Sequence, residues 1–552
     1  MATTRDPFLA LLKIVRKKAI YENLTLARET FEVISNRMGV LDNPQELVAF
    51  LGQHLKPKEL EKKQNGEVFT PPDLIQQKFN KLTLADPHIW SDPWKRFLDP
   101  ANGIGNYPAL AFHRLMEGLK NAIPNEALRK KHILENMLYM CELNKKNIEV
   151  SRKVFDPEGM YSLNLYQGSY LDLDPKKEWG VEKFDVIFGN PPYQEKVGPR
   201  KTNTLWDKFV KKSLDLLIMG GFLVFVHPSG WRNIDGKFKN IQDLIFDNNL
   251  CYLEIHNEKD GIEVFKSETR YDWYILQHTI VSETKTIVKF QDGYQSTINV
   301  KGLGFIPNAQ FDRIYSLIAK IGEEKCNVLH DYSSYETRKK WMSRTKSSDK
   351  IHPCVYTVNH IDEIKSFYSS EKKKHFGVSK LIWSNGRISS LGSYSDADGL
   401  YGLTQFAYAI VDSPDNLIPI KKVFDSRDFR KLMEHCSVGQ NTINYKAIAL
   451  FKKDFWKTFE LHPSNIIINA VESIPPTVEP VAQAIAVSTT TQPDYKKMKV
   501  ADLKQLCLTR EIDTIKKKKE ELVSALITWD ESKNTIVVPK KRVFKVVSTP
   551  AI

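Results

Sequence analysis

The stretch that decides the fold is Phe184-Asp185-Val186-Ile187-Phe188-Gly189-Asn190-Pro191-Pro192-Tyr193. Its first half is apolar enough for a buried strand. Two consecutive prolines cannot continue a strand ladder, because each lacks an N–H and has a fixed φ. The backbone therefore turns away at the carboxyl end of the strand, which is where open α/β sheets bind their ligands. The pattern predicts an α/β fold with a rigid polar turn at its binding edge.

Three other segments predict elements of the same sheet. Thr70-Pro71-Pro72-Asp73 begins a helix with apolar residues at helical spacing. The run from Phe97 to Tyr107 reads as a short strand, a glycine-rich turn and a helix start, and the glycines let the backbone approach a ligand closely. A further apolar strand from Met137 ends at Glu142, whose carboxylate can accept hydrogen bonds from ribose hydroxyls. The other reading of Glu142 is a solvent-facing strand end.

Together these segments resemble the motifs of the amino-methyltransferases that use S-adenosylmethionine. Asn190-Pro191-Pro192-Tyr193 resembles motif IV, the turn from Asp99 to Tyr107 resembles motif I, and Gly261-Ile262-Glu263-Val264-Phe265 resembles motif VIII. Their order is similar to the gamma arrangement of adenine-N6 DNA methyltransferases, such as the methylases of type II restriction-modification systems. The resemblance covers residues 65–285 and implies a Rossmann-like catalytic domain.

The resemblance assigns the chemistry to the turn. An exocyclic amine on adenine is a poor nucleophile, because its lone pair is delocalised into the ring. The Asn190 carboxamide and the Pro191 carbonyl can accept hydrogen bonds from that amine, and Pro192 stiffens the turn so that both acceptors are preorganised. Tyr193 and Phe265 would stack on the two faces of a base taken out of its helix. The other reading of Phe265 is a core side chain.

The cofactor is expected to be S-adenosylmethionine, and no metal is implied. The residues assigned to it are Thr70, Pro71, Asp99, Pro100, Ala101, Gly103, Gly105, Asn106, Tyr107, Glu142, Leu143, Ser169, Tyr170 and Asn190. One position departs from the family: Ser169 stands where an Asp usually accepts a hydrogen bond from the cofactor's adenine. A hydroxyl can accept the same bond more weakly, and Asp172 is a candidate substitute.

The charge distribution predicts double-stranded DNA as the partner. The net charge is +13, and residues 495–552 contribute 14 Lys+Arg against 7 Asp+Glu, hence +7 of it. The segment resembles a SAP motif, a small helical DNA-binding module; a basic helical hairpin for protein contacts is the alternative. The basic residues predicted to touch DNA are Lys196, Arg200, Lys201, Lys516, Lys517, Lys518 and Lys519. The sequence leaves open whether a restriction or regulatory protein binds the chain.

The predicted organisation has six parts. They are an N-terminal helical region (1–64), the methyltransferase domain (65–285), an α+β target-recognition domain (286–470), a flexible linker (471–494), the SAP-like module (495–530) and a basic tail (531–552). The longest apolar run is too short to span a membrane, no signal peptide is visible, and the six cysteines are scattered. These features predict a soluble protein of a reducing, intracellular compartment, without a zinc site or a disulfide framework.

The function expected from the sequence is methyl transfer from S-adenosylmethionine to the N6 amino group of a flipped-out adenine in a specific DNA sequence. Two alternatives stay open. Asn-Pro-Pro-Tyr also serves enzymes that methylate RNA adenine or a protein glutamine amide. The departure at Ser169 leaves room for a DNA-binding protein whose cofactor pocket has decayed.

Overall fold

The structure is a computed structural model that describes residues 70–198, 202–390, 392–439 and 442–460, together with 519–520 and 523–524. The chain divides into two compact units, residues 1–467 and 468–552. The predicted N-terminal helical region, the linker, the basic tail and most of the SAP-like module therefore lie outside the described residues. In the described part, no helix combines the length and the apolar character that a membrane crossing requires.

A nine-stranded sheet with the order β3-β2-β1-β4-β7-β9-β8-β10-β11 forms the centre of the first unit. Its strands are β1 (Phe97–Asp99), β2 (Leu138–Glu142), β3 (Asn164–Gln167), β4 (Phe184–Gly189), β7 (Leu217–Pro228), β8 (Asn248–His256), β9 (Tyr271–Ile280), β10 (Thr286–Lys289) and β11 (Gln295–Ile298). Strands β3, β2, β1, β4 and β7 are mutually parallel, and β9 runs antiparallel to both β7 and β8. The α/β class and the strand at Phe184–Gly189 are as predicted.

The strand order reverses between β1 and β4. From β1 the chain moves outward through β2 to β3, and it returns to the other side of β1 with β4. A crevice forms at such a switch point outside the carboxyl ends of the strands, and ligands bind there. The glycine-rich turn and Asn190 leave the sheet at the ends of these two neighbouring strands.

Helices cover both faces of the sheet. They are α1 (Pro72–Ala85), α2 (Asn106–Gly118), α3 (Glu126–His132), α4 (Lys145–Phe155), α5 (Pro175–Trp179), α6 (Trp206–Leu216), α7 (Lys239–Asp247) and α8 (Glu258–Phe265). Side chains alternate across a strand, so Val186 and Phe188 pack into the core beneath α1 and α2, while Ile187 packs into the core beneath α6 and α7. A small hairpin, β5 (Gln194–Lys196) and β6 (Thr202–Thr204), connects the turn at Asn190 to α6.

The sheet extends past the predicted domain boundary at residue 285. Strand β10 pairs in parallel with β8, and β11 pairs with β10, so the catalytic sheet ends at Ile298. The parallel pairing of β10 with β8 joins segments about 35 residues apart, so local patterns do not reveal it.

Two four-stranded sheets and several helices follow. The sheets have the orders β12-β19-β16-β17 and β13-β15-β14-β18. Their strands are β12 (Val328–Leu329), β13 (Met342–Ser343), β14 (His352–Val358), β15 (Ile364–Ser369), β16 (Lys380–Ser384), β17 (Ser393–Asp396), β18 (Gly402–Leu403) and β19 (Ala407–Val411). The helices are α9 (Phe311–Leu317), α10 (Pro414–Asp425), α11 (Arg427–Cys436), α12 (Tyr445–Ile448) and α13 (Lys457–Glu460). Strand β16 lies between two cores, with Trp383 packed against the helices and Ile382 against the other sheet.

A fully buried arginine joins this region to the nine-stranded sheet. Arg232 Nε donates to Asp272 Oδ2 at 2.7 Å, and both side chains are 0% exposed. The same guanidinium donates to the Ile306 carbonyl and to Asn308 Oδ1, and Asn308 Nδ2 donates to the Ser437 carbonyl at 2.9 Å. The Arg232 guanidinium thereby holds the start of β9 and the segment after β11 together, and Asn308 extends this link to the residue after α11.

Candidate active site

A cavity of about 200 Å³ opens at the carboxyl ends of β1, β2 and β4. It is lined by Thr70, Pro100, Ala101, Asn102, Gly103, Asn106, Tyr107, Glu142, Leu143, Asn144, Gly168, Ser169, Tyr170, Leu171, Asn190, Pro192, Glu195, Leu205 and Phe209. The structure thus brings together all the residues predicted to bind the cofactor except Pro71, Asp99 and Gly105. Of the turn residues, Asn190 and Pro192 line this cavity.

The glycine-rich loop is fixed between the ends of β1 and β2. Glu142 Oε2 accepts a hydrogen bond from Gly103 N and its Oε1 accepts one from Asn144 N, both at 2.7 Å. Gly105 has φ +97°, and a Cβ there would lie 2.9 Å from the Phe155 ring, so both the conformation and the space favour glycine. Gly105 therefore shapes the loop without lining the cavity.

Asp99 also supports the loop from beneath. It is 1% exposed, and its Oδ1 accepts a hydrogen bond from Ala101 N at 3.0 Å. Burial raises the pKa of the Asp99 carboxyl well above its usual range, although the bond from Ala101 N–H lowers that pKa. Pro71 is the N-cap of α1, and its carbonyl accepts from Ile75 N at 3.3 Å. Neither Asp99 nor Pro71 lines the cavity, so their contact with a cofactor stays a prediction.

One end of the cavity is polar. Asn102 donates through Nδ2 to Ser151 Oγ, and Asn106 donates through Nδ2 to the Thr70 carbonyl. Within the described residues, the Oδ1 atoms of Asn102 and Asn106 are buried and accept no hydrogen bond. Two unpaired buried acceptors on residues that line one cavity suit a ligand with a donor group, such as the ammonium of an amino acid, because a buried polar atom left unpaired costs free energy.

A buried lysine, Lys78, contacts the cavity residue Tyr107. Lys78 on α1 is 0% exposed, and its Nζ donates to the Tyr107 hydroxyl at 2.5 Å. Burial lowers the pKa of the Lys78 ammonium well below its usual range, and the carboxylates of Asp99 and Glu254 act in the opposite direction. Lys78 therefore orients the hydroxyl of Tyr107, a residue that lines the cavity.

The other end of the cavity is apolar and aromatic. The rings of Tyr170 and Phe209 lie 5.0 Å apart, and the Tyr170 hydroxyl is within hydrogen-bonding distance of Ser213 Oγ at 3.0 Å. Leu143 is 63% exposed at the cavity, which leaves an apolar surface for a flat ring to cover. Ser169 lines this end, whereas Asp172 is exposed and does not line the cavity. Asp172 is therefore not the substitute acid that the sequence suggested.

The turn at Asn190 is held tightly against the glycine-rich loop. A Cβ at Gly189 would lie 2.9 Å from Asp99 Oδ1, so the end of β4 can approach the end of β1 this closely because residue 189 is glycine. Pro191 is buried, and the Tyr193 carbonyl accepts a hydrogen bond from Leu205 N at 3.1 Å. The prolines and this hydrogen bond fix the turn at both ends.

The structure does not place Phe265 as a partner of Tyr193. Phe265 is 5% exposed at the end of α8, and it packs edge-on against Tyr271 with 4.9 Å between ring centroids. Gly261, four residues earlier on the same face of α8, is also buried, whereas Ile262 is 49% exposed. Tyr193 is half-buried, and burial together with the nearby Tyr271 hydroxyl raises its pKa. Phe265 is a core residue here, so stacking on a base stays a prediction that needs movement.

Most of the predicted DNA-binding lysines and arginines lie outside the described residues. Arg200, Lys201, Lys516, Lys517 and Lys518 are among them. Lys196 belongs to β5, and Lys519 is exposed in a short helical segment of the second unit. Their contact with DNA remains a prediction.

Several residues that line the cavity are not predicted from the sequence. Asn102 and Asn144 lie just after predicted strands and line the cavity, and neither is among the residues predicted to bind the cofactor. Leu205 is the N-cap of α6 and Phe209 lies four residues later, which places both on the face that meets the cavity. Glu195 lies on the hairpin after the turn, and no motif identified it.

Comparisons with known proteins identify relatives of this chain. Residues 111–265 match the model of the Eco57I restriction-modification methylase family, a segment that includes Asn190–Tyr193. An uncharacterized adenine-specific methylase of Mycoplasma pneumoniae is 25% identical over 354 residues, which are 49% of this chain and 83% of that protein. The predicted resemblance to restriction-modification adenine methylases is confirmed.

Similar solved structures include a chain of a DNA complex and a subunit of a type I restriction enzyme. A chain of the DrdV–DNA complex has a TM-score of 0.48 at 13% identity, and the match covers 80% of this chain and 61% of that one. The M protein of the type I restriction enzyme EcoKI has a TM-score of 0.32 at 16% identity, with 50% and 66% covered. This chain spans less than two thirds of either solved chain.

Proposed function

We propose that this chain is an adenine-N6 DNA methyltransferase that uses S-adenosylmethionine. One observation carries the proposal: the rigid turn at Asn190 and Pro192 lines the same cavity as the glycine-rich loop at Gly103. A methyl donor held by the loop and an amine held by the turn would then meet in one cavity, which is the proximity that direct group transfer requires.

The chemistry of the cavity fits the cofactor from end to end. Asn102 and Asn106 offer acceptors for an ammonium group, and Glu142 stands at the end of β2, where it can accept from ribose hydroxyls. Leu143, Tyr170 and Phe209 supply apolar surface for a purine. The bound cofactor supplies an electrophilic methyl group on a sulfonium centre. Ser169 leaves these hydrogen-bond acceptors and this apolar surface in place, so it does not favour the alternative of a decayed pocket.

Asn190 and Pro191 act on the amine of the target base. Their oxygens accept hydrogen bonds from the N6 amino group and favour a geometry with more lone-pair character on nitrogen. Because Pro191 and Pro192 fix the turn and Leu205 N holds Tyr193, these acceptors need not reorganise as positive charge develops on the nitrogen. The proton leaves once the nitrogen is cationic, so no general base is required before transfer.

The region after Ile298 would recognise the DNA sequence. Around β13 it carries Arg338, Lys339 and Arg344, and Lys373 Nζ lies 3.7 Å from the centroid of the Trp341 ring. Basic side chains with interleaved aromatic rings suit phosphates and base edges. Buried Arg232 would keep this surface at a fixed distance from the catalytic cavity. The SAP-like segment would add a salt-dependent tether to DNA.

Transfer of a radiolabelled methyl group tests the proposal directly. The full chain is incubated with labelled S-adenosylmethionine and, in separate reactions, with duplex DNA, structured RNA and a mixture of proteins. We expect label in the DNA alone, as N6-methyladenine, and transfer about 100- to 1,000-fold slower with Asn190→Ala. Asn121→Ala, at an exposed surface turn, is the matched control and should transfer normally. Label in RNA or protein but not in DNA would contradict the proposal.

A further inference from the structure

Glu195 is a cavity residue to which neither the motifs nor the comparisons give a role. It lies on β5, five residues after Asn190, and its side chain is 40% exposed. Its Oε1 lies 3.8 Å from Lys208 Nζ, a separation longer than a direct hydrogen bond. This ion pair leaves the carboxylate able to accept a shorter bond from a ligand.

The contacts of Lys208 locate Glu195 at the apolar end of the cavity. Lys208 belongs to the first turn of α6, between Leu205 and Phe209, and both of these neighbours line the cavity. Phe209 in turn contacts the Tyr170 ring. Glu195 therefore lines the cavity together with Leu205 and Phe209, next to the apolar surface that suits a purine.

Among the described residues, the cavity lining contains two carboxylates, Glu142 and Glu195. They differ in their hydrogen-bond and ion-pair partners within the protein. Glu142 accepts from the backbone N–H groups of Gly103 and Asn144 at 2.7 Å, one on each oxygen. Glu195 has the looser ion pair with Lys208. An ionised carboxylate offers acceptors only, so the purine group that Glu195 suits is a donor such as an exocyclic amine.

We propose that Glu195 accepts a hydrogen bond from the 6-amino group of the cofactor's adenine and so selects a 6-aminopurine over a 6-oxopurine. The inference rests on the proposed function, because it takes the ligand to be S-adenosylmethionine. The Ser169 hydroxyl, at the same end, supplies a second and uncharged acceptor. A 6-oxo group turns a lone pair towards the carboxylate, which is unfavourable. Glu195 is thus a specificity-determining residue.

The hairpin that carries Glu195 also adjoins the turn at Asn190. The hairpin that carries it begins directly after Tyr193, and Leu205 N anchors the returning strand to the Tyr193 carbonyl. A cofactor that binds Glu195 therefore restrains the segment adjoining the turn that holds the target amine. Cofactor occupancy and the placement of Asn190 become coupled.

Calorimetric titration of the full chain tests the proposal without turnover. The ligands are S-adenosylhomocysteine and S-inosylhomocysteine, which differ in the 6-amino and 6-oxo groups. We expect Glu195→Ala to bind S-adenosylhomocysteine roughly tenfold or more weakly than the wild type, as for loss of a charge-assisted hydrogen bond. Binding of S-inosylhomocysteine should not weaken, so the preference for the amino form should shrink.

Two further variants sharpen the result. Glu195→Gln keeps an acceptor without charge, so we expect a smaller loss of the preference. Lys208→Met removes the ion pair but not the carboxylate, and its preference should match the wild type. An unchanged preference in Glu195→Ala, or equal weakening for both ligands, would overturn the role of Glu195 while leaving the proposed function standing. Failure of the wild-type chain to bind either ligand would overturn both.

Discussion

Acid should destabilise this protein through His227, and the effect can be worked out from the structure. His227 is 0% exposed, stacks on Trp206 with 4.2 Å between ring centroids, and lies 3.0 Å from the Tyr274 hydroxyl through Nε2. Burial lowers the pKa of this imidazole from 6.5 to about 3, the hydrogen bond to the Pro228 carbonyl acting in the opposite direction. The folded state therefore holds a neutral histidine that the unfolded state can protonate.

The difference in the His227 pKa between the folded and unfolded states sets how the free energy of unfolding changes with pH. The folded pKa lies below the unfolded one, so this contribution to stability is complete above the unfolded pKa and is lost as the pH falls through the interval between the two values. One pKa unit corresponds to about 1.4 kcal/mol, so protonation of the unfolded chain at pH 5 lowers the free energy of unfolding by about 2 kcal/mol relative to pH 7.

Urea denaturation at pH 5, 6, 7 and 8 measures the effect in the wild type and in His227→Gln. The glutamine amide can still bond the Tyr274 hydroxyl, and the packing it loses against Trp206 is independent of pH. All other titrating groups are shared, so the loss of stability from pH 7 to pH 5 should be about 2 kcal/mol smaller in the variant. Equal losses in the two proteins would refute the assignment of a neutral, deeply buried imidazole.

Three other changes have defined outcomes. Asn190→Ala should lower kcat for methyl transfer about 100- to 1,000-fold while DNA retention in a gel-shift assay persists, and loss of DNA binding would argue against an acceptor role. Phe265→Ala should lower the free energy of unfolding by about 3–5 kcal/mol, whereas Ile262→Ala, on the exposed face of α8, should cost far less; similar urea midpoints would contradict the buried position of Phe265. Arg232→Met should destabilise by about 3–5 kcal/mol because it strands the Asp272 carboxylate, and adding Asp272→Asn should recover part of that loss; no recovery would argue against the ion pair.

The sequence predicts the centre of the site well because short-range patterns encode it. An apolar run followed by two prolines can only be a strand that ends in a turn, and β4 with Asn190 follows from that alone. The turn after β1 is equally local, because its glycines, its prolines and the start of α2 lie within a few residues. Both patterns place their residues at the binding edge of a parallel sheet.

What the sequence does not reveal depends on contacts between distant segments. The pairing of β10 with β8, which extends the catalytic sheet past residue 285, is one case. The ion pair of Arg232 with Asp272 is another, because nothing in the sequence around either residue indicates that its charge is buried. Phe265 has the position of a stacking aromatic, yet its place on α8 turns it into the core. The sequence does not identify Glu195 as a cavity residue, because its place there depends on the contact between β5 and the start of α6.

Modified bases in genomic DNA test the central claim most directly. The full chain is expressed in cells that lack adenine methylation, and their DNA is sequenced for modified bases, with Asn190→Ala as the matched strain. We predict N6-methyladenine at one recurrent sequence in the wild-type strain and a far smaller methylated fraction of that sequence in the variant strain. DNA without N6-methyladenine in the presence of folded protein, or equal methylation in both strains, would contradict the claim that the turn at Asn190 presents an adenine amine to a methyl donor.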